Sequence, residues 1–277
     1  MAYTVRLIGA VIALSAGGVP GAMAQPPLAE VMLHHGVQVK GGYAAAFEAH
    51  TVPNGPVTAG SLAAPLALLA ASAGRDRIDA AYAFGILAGR SGRAASPQQL
   101  AAAGQALVAM LADADRRSRI AGARVAGRVF AAPFDRSAVR PTRPAGLREA
   151  LFAVLNGDDQ VDQLIAMDAL GLLREASAVV SLTERYHYYR QQNQRALAGG
   201  ALEALARIGD PASATIITQA AADKWADGRD ATALAVAFAR QRVLQDGSIA
   251  VIRKALDDRS LRDQARGYLV ELSASVP

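Results

Sequence analysis

The 277-residue chain contains no cysteine. That excludes disulfides, thiolate metal sites, cysteine nucleophiles and lipid attachment at a cysteine. Lysine is nearly missing as well: Lys40, Lys224 and Lys254 stand among 29 basic residues, so 26 are arginine. Arginine offers a planar, always-charged fork suited to carboxylates and phosphates. Aromatic residues are only 5% against 52% hydrophobic, so a core has to be built from Ala, Leu, Val and Ile in close contact. Such a composition favours helix, because Ala loses no side-chain entropy there, and strand-like runs are scarce. The motifs of common active sites are missing too. There is no Gly-x-Ser-x-Gly elbow, no phosphate loop and no Gly-x-Gly-x-x-Gly after a strand. The four histidines are His34, His35, His50 and His187. Adjacent helical residues such as His34 and His35 point about 100° apart, so they do not form a metal clamp of the i, i+4 kind. Asp158-Asp159 and Asp257-Asp258 read as turn and capping acids. The sequence therefore predicts no cofactor, no metal site and no catalytic residue.

What is present is repetition. Six stretches share one pattern of small residue, apolar residue and small anchor: Ala80 to Gly85, Gly122 to Gly127, Ala166 to Gly171, Ala201 to Ala206, Leu234 to Ala239 and, more weakly, Ala265 to Val270. The anchors are spaced by 42, 44, 35, 33 and 31 residues, the range of helix-pair repeats. Small side chains at the anchors predict close helix approach, with Phe84, Leu170, Leu205, Phe238 or Leu269 filling the space beside them. Helix signals place the pairs at 61–72 and 75–89, 96–112 and 116–131, 145–156 and 160–174, 176–190 and 194–208, 211–225 and 230–244, and 247–256 and 259–272. Ser61 is the expected cap of the first helix. Ser96-Pro97 is a capping serine followed by proline at the first helical position.

A basic position accompanies the anchors. Arg77, Arg119 and Arg262 lie eight residues before Gly85, Gly127 and Val270, while Gln163, Ala198 and Ala231 stand there in the other pairs. Asp115 and Asp258 lie four residues ahead of Arg119 and Arg262, a spacing suited to charge pairing across the turn. On these features residues 61–272 resemble the HEAT-like repeats of bacterial proteins, the short type also seen in phycobilin lyases. The resemblance implies an all-α, right-handed α-solenoid of about six helix pairs, spanning 61–277. It implies no activity for this chain; in the lyases the repeats support chromophore attachment.

The start of the chain reads as an address. Arg6 precedes an apolar stretch from Leu7 to Ala16, then Gly17-Gly18-Val19-Pro20-Gly21, then Ala22-Met23-Ala24. This is the layout of a secretory signal over 1–24, with cleavage expected after Ala24. The apolar stretch is about half the length that spans a bilayer, and no later run stays uncharged long enough to span. The expected product is an exported protein, periplasmic or extracellular, with no transmembrane segment. Residues 25–60, rich in Pro and Gly, are the expected cap over the first repeat.

Two segments stand out as contact candidates. Residues 116–148 hold nine arginines against Asp135, a local balance of +8. Arg117, Arg124 and Arg128 share one helical stripe, and Arg136, Arg140 and Arg143 lie in the longest loop between pairs. The alternatives are a grip on an anionic surface and a face balanced by acids brought from elsewhere. Export and the paucity of aromatics weigh against specific nucleic-acid recognition. The second segment runs from Arg185 to Arg195, where Tyr186, Tyr189 and Arg190 fall near one helical face, a mixture found at contact hot spots, with packing between pairs as the alternative. The function expected is a binding or scaffold protein acting on a protein partner. The alternative is a lyase-like or chaperone-like enzyme subunit.

Overall fold

The computed structural model describes residues 26–49, 51, 53–89, 94–132, 141–222 and 266. The proposed export signal, Arg136 and Arg140, the helix expected at 230–244 and, apart from residue 266, the sixth pair lie outside the described residues. Among the described residues there are eleven α-helices and no strand: α1 Leu28–His34, α2 Gly42–Glu48, α3 Ala63–Ala71, α4 Gly74–Ala88, α5 Pro97–Leu111, α6 Arg116–Val129, α7 Leu147–Leu155, α8 Gln160–Leu173, α9 Val179–Gln191, α10 Arg195–Ile208 and α11 Ala214–Ala222.

The helix starts follow from their capping residues. The Ser96 hydroxyl accepts from the Gln99 amide at 3.2 Å while the Gln99 side chain accepts from the Ser96 amide at 2.9 Å, a reciprocal box with Pro97 at the first helical position. Asp115 caps α6 by accepting from the Arg117 amide at 2.9 Å. Asp159 caps α8 by accepting from the amides of Val161 and Asp162 at 2.8 and 3.1 Å. The expected cap at Ser61 takes another form. Ser61 and Thr58 bond each other's amides at 3.2 and 3.3 Å, which closes the turn before a short 3₁₀ segment, Gly60–Leu62, that leads into α3. At the other end, Gly209 with φ of 67° closes α10, the left-handed backbone in which glycine carries no Cβ penalty.

The helices pack as the pairs foreseen from the sequence: α3 on α4, α5 on α6, α7 on α8 and α9 on α10. Each even-numbered helix also packs on the next, from α2 through α4, α6 and α8 to α10, and α3 packs on α5 and α5 on α7. The even helices are therefore enclosed on several sides. Nine consecutive residues of α4, Ala80 to Ala88, are buried, as are ten of α10, Leu197 to Ala206. A helix buried around its whole circumference needs no polar face, which is why these segments are so rich in alanine.

The anchors set the distance between those helices. A Cβ built on Gly85 would lie 3.1 Å from Val125 Cγ1, one on Gly127 3.0 Å from Ala169 Cα, and one on Gly171 2.9 Å from Ala204 Cα. Val125, Ala169 and Ala204 each sit two residues before the next anchor. The register is thus the same at three successive joints, although the spacing between anchors changes from 42 to 44 to 35 residues. Insertions are absorbed in loops while the helix contacts stay constant. At the front of the row a Cβ on Gly85 would also lie 2.9 Å from Phe47 Cε2, and α2 packs on α4.

Candidate functional site

Five of the seven arginines of 116–148 that lie among the described residues have a carboxylate partner. Arg116 pairs with Asp159 at 3.2 Å, Arg119 with Asp162 at 2.6 Å, Arg124 with Glu48, Arg143 with Glu175 at 2.8 Å, and Arg148 with Glu149. Four of the five acids come from α2, the N-cap of α8, α8 itself or the turn after it. Arg117 is exposed in the first turn of α6, away from the groove described below. Arg143 also donates to the Leu173 carbonyl, and the Ala132 amide donates to the Leu172 carbonyl at 3.0 Å. Both ends of the loop after α6 are thereby tied to the C-terminal end of α8.

Arg119 shows why spacing alone misleads. Asp115, four residues before it, was the expected partner, but that carboxylate is engaged in capping α6. The Arg119 guanidinium instead spans to the neighbouring helix, donating to Asp162 and to the carbonyls of Asp113 and Ala114 at 3.0 and 2.9 Å. The same turn in the next pair carries Gln163, which donates to the Gly157 carbonyl at 2.6 Å. Arg119 and Gln163 each reach the carbonyl six residues earlier, so the glutamine performs the turn-tying half of the arginine's role.

The tyrosine segment is mostly interior. Tyr186 and Tyr189 are only 3% and 2% exposed, which takes them out of a contact surface. The Tyr189 hydroxyl donates to Gln163 Oε1 at 2.8 Å and accepts from Arg185 at 3.0 Å, tying α9 to α8. Arg190 is half-buried and also has a partner. Tyr188, 56% exposed, is the ring of this segment that faces outward.

The side chains that do converge lie where α2, α6, α8 and α10 adjoin. They line a groove of about 390 Å³ formed by Phe47, Glu48, Arg124, Arg128, Leu164, Ile165, Asp168, Gly200, Glu203, Ala204 and Arg207. Five of the six charged members occupy fixed places relative to the anchors. Arg124, Asp168 and Glu203 stand three residues before Gly127, Gly171 and Ala206, and Arg128 and Arg207 stand one residue after Gly127 and Ala206. Positions −3 and +1 are one helical turn apart, so they present a single stripe on each helix, and the constant register aligns the stripes into one polar row. Tyr82, three residues before Gly85, extends the row on α4.

Most of these charges hold each other. Arg207 bridges two carboxylates, pairing with Asp168 and, at 2.7 Å, with Glu203. Arg124 pairs with Glu48. Arg128 is different: its guanidinium lies 4.1 Å from the centre of the Phe47 ring and donates to the Phe47 carbonyl at 2.7 Å. Among the described residues no carboxylate is within 4 Å of it. Burial pushes the Arg128 pKa below its ordinary value; Asp168 and Glu48 oppose the shift, while Arg124 and Arg207 add to it. It remains a cation, since an arginine stays protonated even when partly desolvated. Its ring and carbonyl partners satisfy part of the fork of a residue that lines the groove. Burial likewise raises the Tyr82 hydroxyl, with the Arg124 charge acting against it.

Comparisons with protein-family models, with curated proteins and with solved structures gave no match.

From the sequence stripe, Arg124 and Arg128 enter the groove and Arg117 does not. Phe47, Glu48, Asp168, Glu203 and Arg207 were missed. The signal that finds four of the polar lining groups plus Arg207 is the offset of −3 and +1 from each small anchor; Phe47 and Glu48 have no such signal because α2 precedes the first anchor.

Proposed function

We propose that this chain is an exported HEAT-like α-solenoid of about six helix pairs, a binding module rather than an enzyme, which takes a segment of a partner protein into the groove across α2, α6, α8 and α10. The pairwise packing and the repeated anchor register support the solenoid, and residues 25–60 supply its cap through α2. The observation that carries the binding reading is the polar row itself. The alternate helices α6, α8 and α10 present charged side chains at the same offset from their packing anchors, beside the lining residues Leu164, Ile165, Gly200 and Ala204. Preformed concave sites of this size with oriented polar groups are where ligands bind, and here six of the eleven lining residues are charged. Ion pairs fix those polar groups before any ligand arrives, which lowers the ordering cost of binding.

The test is an array of twelve-residue peptides probed with the purified mature protein, with bound peptides remade to carry a photoreactive benzophenone. Crosslinks mapping to Phe47, Leu164, Ile165 or Ala204 are expected. Crosslinks confined to other surfaces, or no bound peptide at all, would overturn the reading. Export has its own check: the mature protein recovered from the envelope or medium should begin at Gln25.

A further inference from the structure

We propose that the groove recognises a single carboxylate next to an apolar side chain, and that Arg128 is the residue that receives it. This deepens the peptide-binding reading and rests on it. The six ionisable groups lining the groove are three arginines and three acids: Arg124, Arg128 and Arg207 against Glu48, Asp168 and Glu203. Their charges cancel, so the groove has no net attraction for a polyanion. Two of the arginines are already committed to carboxylates. Arg128 alone meets a ring and a carbonyl, so it is the lining cation whose pairing a ligand can complete. A half-buried guanidinium and a carboxylate form a short, charge-assisted and geometrically specific contact.

The surrounding charges set the limit on what can approach. Glu48 and Asp168 have side chains 54% and 45% exposed, so each presents a carboxylate to the same space. A second negative charge on the ligand would lie against one of them, and like charges placed together are a source of discrimination. Amide N–H groups or a lysine on either side of the acid would meet the same carboxylates favourably. The apolar neighbour is set by Leu164, Ile165, Gly200 and Ala204 between α8 and α10. Gly200 matters here: a Cβ at that position would lie 2.4 Å from Leu164 Cδ1, so glycine lets Leu164 lie back against α10 and leaves the apolar end open. Nucleic acid, a phosphorylated peptide and an anionic membrane are all disfavoured by this arrangement.

Three fluorescein-labelled pentapeptides with amidated C-termini serve as probes: glutamate between leucines with terminal lysines, the same peptide with glutamine, and one with three successive glutamates. Fluorescence anisotropy with the wild-type protein should show the glutamate peptide binding about tenfold tighter than the glutamine peptide, the discrimination expected of one charge-assisted bond. The triple-glutamate peptide should bind more weakly than the single one. In Arg128→Gln the preference for glutamate over glutamine should vanish, whereas Arg117→Gln should retain it. Equal binding of the glutamate and glutamine peptides to the wild-type protein, with crosslinks still in the groove, would overturn this proposal and leave the peptide-binding reading standing. Tightest binding of the triple-glutamate peptide would overturn it in favour of a polyanion site. No binding of any probe or array peptide would overturn both. The wild-type comparison decides the matter even where Arg128→Gln fails to fold.

Discussion

Replacing Gly171 by alanine tests the joint on which the packing argument depends. The added Cβ would lie 2.9 Å from Ala204 Cα and 3.3 Å from Ala204 Cβ. Both neighbours belong to or hang directly from the α10 backbone, so relief requires α8 and α10 to move apart. Overpacking of a well-filled interior costs about 1–3 kcal/mol. Against that, alanine in a helix interior is favoured over glycine by roughly 0.5–1 kcal/mol, leaving a net loss of about 0–2.5 kcal/mol. Gly200→Ala is the matched comparison on the partner helix. Its Cβ would meet the far end of the Leu164 side chain at 2.4 Å, with Met167 Cε next at 3.5 Å. Leu164 borders the groove and has room to turn, so the helix-propensity gain is largely kept and the variant should be neutral to about 1 kcal/mol more stable. Urea denaturation followed by circular dichroism, fitted for both midpoint and slope, measures the two changes; an altered slope would flag repeats that unfold separately. If Gly171→Ala proves as stable as Gly200→Ala, the close contact at this anchor is not what holds the two helices at their spacing, and the register argument fails.

Arg119→Gln should destabilise far more than an ordinary surface change, because it leaves Asp162, whose side chain is 6% exposed, without its cation; the loss should be about 3 kcal/mol, near the lower end for a broken buried pair, and a denaturation midpoint equal to that of the wild type would refute the assignment. Asp159 carries a pH dependence. Its pKa is lowered, first by the Asp162 amide and also by the Val161 amide and the Arg116 charge. A carboxylate depressed in the folded state contributes stability that is complete above its unfolded pKa and is lost as pH falls through the folded value. Asp159→Ala should therefore lower stability at neutral pH and flatten the acid limb of a stability profile, and an unchanged limb would remove Asp159 from the account. Ser96→Ala should cost about 1 kcal/mol through loss of the α5 cap, read by the same denaturation assay, with Ser96→Asp retaining most of the stability.

The elements of this protein are local events, and the sequence determined them for a local reason. Ser96-Pro97 and Asp159 mark helix starts through bonds that reach only a few residues, so the four pairs from α3 to α10 were legible along the chain. The small anchors Gly85, Gly127 and Gly171 were legible too, since a period of about one helix pair needs no tertiary knowledge to detect. The partners of the charges were not legible. Arg124 meets Glu48 across 76 residues, Arg119 meets Asp162 across 43, Arg207 meets Asp168 across 39, and Arg143 meets Glu175 across 32. Those separations vary because loops of different length lie between helices held in one register, and a Coulomb interaction depends on distance in space, not along the chain. Of the nine arginines behind the +8 of that stretch, five thus become members of ion pairs in the fold. Tyr186 and Tyr189 went the same way, from a surface-like run to the interior, because which side of α9 faces α8 and α10 is decided by packing. The sequence marked most of the helix ends and the small anchors at three joints; only the tertiary structure decided that Arg128, among so many arginines, would line a groove with a ring and a carbonyl in place of an acid.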